Sequence, residues 1–446
     1  MDAEDRIAHW VATLDLAGIP PAVRSAAETC LIDGVGVWMA GRATDVYARS
    51  SSLTGIPLGA AESAFLGGVA IHALDYDDTS YAGIVHGTAG VLPAVMAACD
   101  HRDGDGRLLL EAFVAGVEVL YAMGETVTDH LYQGGHWCTT TLGILGASCG
   151  AARALGLRAF ETANALRLAA NMPLGLRVSH GSTAKPYLNG VAARLGYEAA
   201  QAARAGITGT PGTLEGHFGF ADVHNAGIWS GDRLTRLGDQ WGLTDPGVAI
   251  KRHPLCSAAQ AAIEATLALR ATHSIAADDV ASVECRGTPL VTSCLTYRGP
   301  ATIPQAQFSM PFAIACALVF GEVGLAQLRD DVLRSPAITR LMARVALRED
   351  PALVAPGDRR DAPEASAVTI HLRDGNKVSK IVLAATGMPT RPLTHEQVSA
   401  KFLDCARFGG VDETRATMLA SLLRSPAGIA HTRRIAELAA PEPLAA

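Results

Sequence analysis

The sequence is short of charge. Asp, Glu, Lys and Arg make up 18% of its 446 residues, against roughly a quarter in an average globular chain. Its Lys and Arg never gather into a stripe, and the formal net charge is -7, so nothing is placed to neutralise a row of phosphates. Nucleic acid and acidic membrane surfaces are excluded as expected partners. Nine cysteines occur without one CxxC pair, scattered through apolar sequence. That is the pattern of reduced, core-filling thiols, not of a disulfide framework or an iron–sulfur site.

Other signals are missing too. The opening MDAEDRIAHW is acidic and has no apolar core of a secretory signal, so a cytoplasmic location is expected. The longest uncharged stretch, 299–321, is broken by Pro300, Pro304 and Pro311; it falls short of the ~20 apolar residues that cross a bilayer and predicts a buried helix. The glycine-rich GITGTPGTLEGHFGF (206–220) lacks the Lys-Ser/Thr of a phosphate loop, and there is no GxSxG elbow for a serine hydrolase. The histidines form no HxxxH or HxH pair, and Asp77-Asp78 lacks EF-hand spacing, so no metal ligands are expected.

What the chain has is apolar and small: 49% hydrophobic residues and 45 glycines. At this length a large core can be buried, and small side chains let helices approach closely. From residue 5 to about 265 the pattern is helical. LLLEAFVAGVEVLYAMG (108–124) and TLGILGASCGAARALGL (141–157) are apolar on nearly every side, which suits helices inside a bundle. After about 270 the pattern changes. VASVECRG (280–287) alternates like a strand, and SAVTIHLRDGNKVSKIVLA (366–384) places two β-branched runs around Asp374-Gly375, a hairpin signal. A loop is expected over 351–366. Thr394 with Gln397 three residues later predicts a capping box and a new helix. The chain therefore divides into a helical domain over 1–265, to which 389–446 returns, and an α+β segment over 266–388.

Four polar islands stand in this apolar background. HALDYDDTSYAGIVHGTAGVLPA (72–94) carries Asp75, Asp77, Asp78, Thr79 and His86; continued as a helix, it puts Asp75 and Thr79, four apart, on one face. GGHWCTTTLG (134–143) sets His136 at the mouth of a small-residue helix, as a cap, a core residue or a catalyst. GLRVSHGSTAKPYLNGVAARLG (175–196) holds Lys185 between Ala and Pro, unlike the solvated lysine of a helix face. AIKRHPLCSAAQAAIEA (249–265) sets Lys251 and Arg252 before a helix start, where backbone N–H groups also attract anions. Together the islands supply cations for carboxylates and a histidine for proton transfer, which points to metal-free acid–base chemistry on a polyanion.

In order, HALDYDDT…H…VLPA, TTTLGILGA, GSTAKPYLNGVAARLG, AGITGTPGTLEG, KRHPLCSAAQAAIEA, QFSMPFAIACAL and GMPTRPLTHEQVSAKF resemble the MmgE/PrpD family over almost the whole chain. The resemblance implies a mostly α fold, with a large all-helical domain and a smaller α+β lid. It also implies a homodimer, a site between domains and no metal or organic cofactor. Asp75, Thr79 and His86 match the motif's acid, threonine and loop histidine; Lys185 and Lys251 match the two site lysines. Counted back from Gly143, the family's second histidine falls on Trp137, and only a one-residue shift lets His136 replace it. Cys256 follows the second lysine motif, Gln260 stands for a later histidine of some members, and Phe312 stands where a tyrosine is usual.

The expected activity is that of a lyase on a small di- or tricarboxylate, a dehydratase of the 2-methylcitrate type or a decarboxylase. Lys185 and Lys251 bind carboxylate, His86 moves the proton, Asp75 orients His86 or a lysine, and Thr79 bonds the substrate or the loop. His136 is kept as a candidate catalyst; Trp137, Cys256 and Phe312 are candidates for substrate contact. The alternatives are an epimerase of an amino- or imino-dicarboxylate and a catalytically silent homologue that binds a metabolite.

Overall fold

The computed structural model describes residues 2–354 and 363–441. Its body is a bundle built from helices that bury almost their entire surface. α1 (Pro21–Gly41), α2 (Ala60–His72), α3 (Gly87–His101), α4 (Gly106–Gln133), α5 (Gly143–Leu155) and α6 (Ala184–Arg204) follow one another along the chain. α5 sits centrally and touches α3, α4 and α6, while α6 also lies along α2. The two segments expected to be apolar all round are α4 and α5, and nearly every residue of both is buried. Small residues make this possible. A Cβ on Gly146 would come within 2.7 Å of the Gly116 carbonyl oxygen, and one on Gly116 equally close to that of Gly146.

The helical expectation fails between α6 and about residue 259. There the chain makes only short turns, including Phe220–His224 and Gly231–Arg236, because its glycines and prolines break helical runs. α7 (Gln260–Thr272) and α8 (Met310–Phe320) then flank a four-stranded sheet. The strand and hairpin signals are borne out as β1 (Val280–Gly287), β3 (Ser366–Leu372) and β4 (Lys377–Val382), with β2 (Val345–Glu349) unforeseen. The order is β2-β1-β3-β4; β2 runs parallel to β1, and the other pairings are antiparallel. β2 is an edge strand, half exposed, so its sequence lacks the apolar run of a central strand. Of the loop expected over 351–366, residues 355–362 lie outside the described residues.

The capping box forms: Thr394 Oγ1 accepts from Gln397 N–H, and Gln397 Oε1 accepts from Thr394 N–H, opening α9 (His395–Phe408). α9 packs on α1, with Phe402 against Gly36. The fold is mostly α with a smaller α+β part. Among the described residues no helix is long and apolar enough to cross a membrane.

Candidate active site

α2 ends at His72, and the acids that follow do not continue it. Asp75 takes a left-handed backbone, φ 49°, and Thr79 pairs with Ala249 as a short antiparallel bridge, its N–H 2.9 Å from the Ala249 oxygen. The shared helical face expected for Asp75 and Thr79 is therefore overturned. Tertiary bonds win over local helix propensity here: the Asp75 carbonyl accepts from Lys251 Nζ at 2.7 Å, leaving no reason for the turn to stay helical.

This turn brings two of the polar islands to a third. Asp75 Oδ1 accepts from Lys185 Nζ at 2.9 Å and from Lys251 Nζ at 3.1 Å, and all three side chains are buried. Lys185 comes from the first turn of α6, and Lys251 from the segment that the Thr79 bridge aligns. Burial alone would raise the Asp75 carboxyl, but the two ammonium groups outweigh it and hold it well below the carboxylate range. Burial likewise opposes the charge on Lys251, and Asp75 more than compensates. Each ammonium has three donors. These bonds use one donor of Lys185 and two of Lys251, so both retain donors for another carboxylate.

Beside this triad lies a second. Asp77 Oδ2 is 2.7 Å from His72 Nδ1 and 3.2 Å from His86 Nδ1, the latter outside hydrogen-bonding alignment. Burial pushes Asp77 up, but the two imidazoles draw it well below its usual range. His72 is pushed down to about 4, first by burial and then by Lys185. His86 is lowered by burial, with Asp77 raising it and Lys251 and Lys185 lowering it further. His86 precedes α3 but makes no side-chain cap. The following Gly87 is required by contact, since a Cβ there would lie 2.2 Å from Tyr121 Oη. Asp78 turns away to Thr88, accepting from its N–H at 3.1 Å and its hydroxyl at 2.6 Å, and burial pushes it up to about 7.

An aromatic wall closes the other side. The Trp137 ring centroid is 5.0 Å from Lys185 Nζ, 5.6 Å from His86 and 4.4 Å from His180. His180 stacks on Phe308, which is 5.5 Å from the same ammonium, and burial with Lys185 pushes His180 down to about 3. His136 is not part of this wall: its ring meets His224 at 5.4 Å while its backbone bridges to Leu176. Phe312 on α8 is wholly buried in the core, and Phe308, in the turn before α8, occupies the lysine side. Cys256 is buried next to Cys294 and pushed well up by that contact and by burial. Gln260 binds the backbone of His253 and Leu255, shaping the segment that follows Lys251.

Among the described residues, buried polar atoms without a hydrogen-bond partner gather at this place: Asp75 Oδ2, Asp77 Oδ1, Thr79 Oγ1, His72 Nε2, Trp137 Nε1 and His180 Nε2. Each such group costs free energy in a folded chain, and the donors among them are open to an acceptor such as a carboxylate oxygen. His72, Asp77 and His86 could also hold a metal, as their donor atoms all lie within 4.8 Å of one another, a two-histidine, one-carboxylate set. The two ammonium groups act on the same imidazoles and oppose a divalent cation there.

His72, His180 and Phe308 are the site groups that sequence reasoning passed over, while Asp77 was named among the acids of its island without a partner. His72 and Asp77 are five apart, a spacing that matches neither helix nor strand, and only the turn at Asp75 joins them.

Known proteins resemble this chain over much of its length. The MmgE/PrpD N-terminal domain model matches residues 5–229 and the MmgE/PrpD C-terminal domain model residues 253–424. A cis-aconitate decarboxylase-like protein, oryM, of Aspergillus oryzae is 24% identical over 435 residues, covering 89% of each chain. The cis-aconitate decarboxylase of Mus musculus is 26% identical over 83% of this chain and 80% of its own. A 2-methylcitrate dehydratase of Cupriavidus necator is 26% identical over 52% of this chain and 49% of its own. The relatives named are lyases, and with both of its domain models matched in order, the chain belongs to the MmgE/PrpD family.

Proposed function

We propose that the protein is a cofactor-independent lyase that removes carbon dioxide from a small unsaturated di- or tricarboxylate. The observation that carries this reading is the pair of buried ammonium groups on Asp75, with spare donors, next to the His72–Asp77–His86 group. A substrate carboxylate docks on Lys185 and Lys251. When the bond from carbon to a second carboxylate breaks, its electron pair moves toward the docked carboxylate. Fixed positive charge in a water-poor site stabilises it there. Carbon dioxide leaves without needing a proton, and protonated His86 returns one to carbon. Thr79 and Trp137 supply the unpaired donors that orient the substrate.

Loss of water is the second reading, supported by the dehydratase relative. Hydroxide needs an acid to leave, and Trp137 and Phe312 offer no titratable group where the family resemblance expects a histidine and a tyrosine. None of the relatives named is an isomerase, so epimerisation is carried no further. Incubation with cis-aconitate, citrate and 2-methylcitrate tests the proposal: gas release supports decarboxylation, new ultraviolet absorbance from the saturated acids supports dehydration, and neither would sink both. The division into a helical body and a lid over 266–388, a reducing compartment such as the cytoplasm, and a homodimer belong to the same proposal. Nine free cysteines agree with the compartment. Exposed Leu176, Val178 and Phe218 offer apolar surface for a second copy, and light scattering would report its mass.

Two predictions follow from the charges. Exhaustive chelation and dialysis leave turnover unchanged, because ammonium groups do the work of a Lewis acid; activity restored only by stoichiometric metal would reassign His72, Asp77 and His86 as ligands. Asp77→Asn removes an influence that raises His86, so the ionisation of His86 in kcat/KM, already lowered by burial, moves further to acid. If His86 must be protonated, activity at pH 7 falls. A limb that stays in place in this variant would detach His86 from Asp77.

A further inference from the structure

A third buried lysine lies behind the turn. Lys401 on α9 is 2.6 Å from Asp33 Oδ1 on α1, with both side chains almost wholly buried. An enclosed ion pair is weak evidence of a stabilising role, since apolar replacements of similar volume often serve as well. What distinguishes this pair is its other contact. Lys401 Nζ donates to the Tyr76 carbonyl at 2.8 Å and lies 3.9 Å from the Tyr76 ring centroid. Tyr76 stands between Asp75 and Asp77, and its hydroxyl donates to the Arg252 carbonyl at 3.0 Å. Two successive carbonyls of one turn, Asp75 and Tyr76, therefore each receive an ammonium from a distant segment, Lys251 for the first and Lys401 for the second.

We propose that Lys401, anchored by Asp33, is a positioning residue of the site: it fixes the Tyr76 carbonyl so that Asp75 faces the two lysines and Asp77 faces the two histidines. The functional weight of this inference rests on the lyase reading, but its geometric content does not. With the Tyr76 carbonyl free, the left-handed Asp75 backbone loses one of the tertiary bonds that hold the turn. The carboxylates on either side then lose their fixed directions. Displacements near 1 Å at a reacting centre cost about 10²-fold in rate.

The test is the double variant Asp33→Asn with Lys401→Met, which leaves no unpaired buried charge, alongside Lys401→Arg, which keeps the charge against Asp33 but not the compact ammonium. The double variant is expected to melt near the wild-type temperature, to lose about 10²-fold in kcat with KM little changed, and to shift the ¹⁵N signals of His72 and His86 that report the Asp77 contact. Lys401→Arg is expected to show the same changes in smaller measure. A folded variant of either kind with wild-type kcat and unmoved histidine signals overturns the proposal. If the wild type turns over none of the carboxylates, the lyase reading fails, while the histidine signals still decide the role of Lys401.

Discussion

His86→Gln is expected to lower turnover about 10²–10⁴-fold, the range for loss of a general acid or base, while the protein stays folded. Glutamine keeps much of the shape and a hydrogen-bonding end, but it cannot carry a proton to carbon. The structure removes the competing explanation of a helix cap, since His86 makes no side-chain bond to the start of α3. Loss of a true cap would cost about 0.5–2 kcal/mol of stability with turnover nearly intact. Asp77 keeps its 2.7 Å contact with His72 in this variant, so its charge is not stranded. Solvent deuterium follows the same step: in His86→Gln its delivery to the product carbon should slow about 10²–10⁴-fold with turnover. Incorporation at the wild-type rate would move the role to another group, with His180 the nearest imidazole on the Trp137 side.

Lys185→Met carries the other large effect. The methionine fills the space between Trp137 and Phe308 without charge, and Asp75 keeps Lys251 at 3.1 Å, so the fold is expected to survive. What is lost is an ammonium aimed at the carboxylate on which charge develops. Removing one such donor from a preorganised site costs about 10²–10³-fold in kcat, and binding of citrate-like anions weakens with it. Isothermal titration with citrate and a turnover assay check both parts. A folded Lys185→Met protein that binds and turns over normally would take Lys185 out of the site.

The lysines were legible in the sequence because a charge between Ala and Pro, or before a helix start in an apolar segment, has no solvent-facing reason to be there. His86 was legible for a related reason, a titratable group beside glycines. The rest needed the fold. His72 ends an apolar helix and looks like core; Asp77 is one of three neighbouring acids, and nothing local says which cation or imidazole it meets. Their pairing depends on Asp75 leaving helical geometry, a choice made by lysines more than a hundred residues away in sequence. Trp137 and His136 are neighbours that differ only in the direction their rings take, and direction is set by the Leu176 bridge. Phe308, in the turn before α8, and Phe312, inside it, belong to one apolar run, so composition could not choose between them. β2 was hidden because an edge strand with one half-exposed face needs no hydrophobic run.

The bond from Asp33 to Lys401 also sets an order of events during synthesis. A ribosome that has released residue 390 has delivered α1 to α8 and the sheet, with Asp33 lacking the Lys401 ammonium that pairs with it. Completion of the bundle around that acid must wait for α9, so the nascent chain stays loose near the turn at Asp75 until the last tenth or so of translation. Fragments ending before residue 401 are expected to lack the bond that holds the Tyr76 carbonyl, and limited proteolysis at the turn would report it.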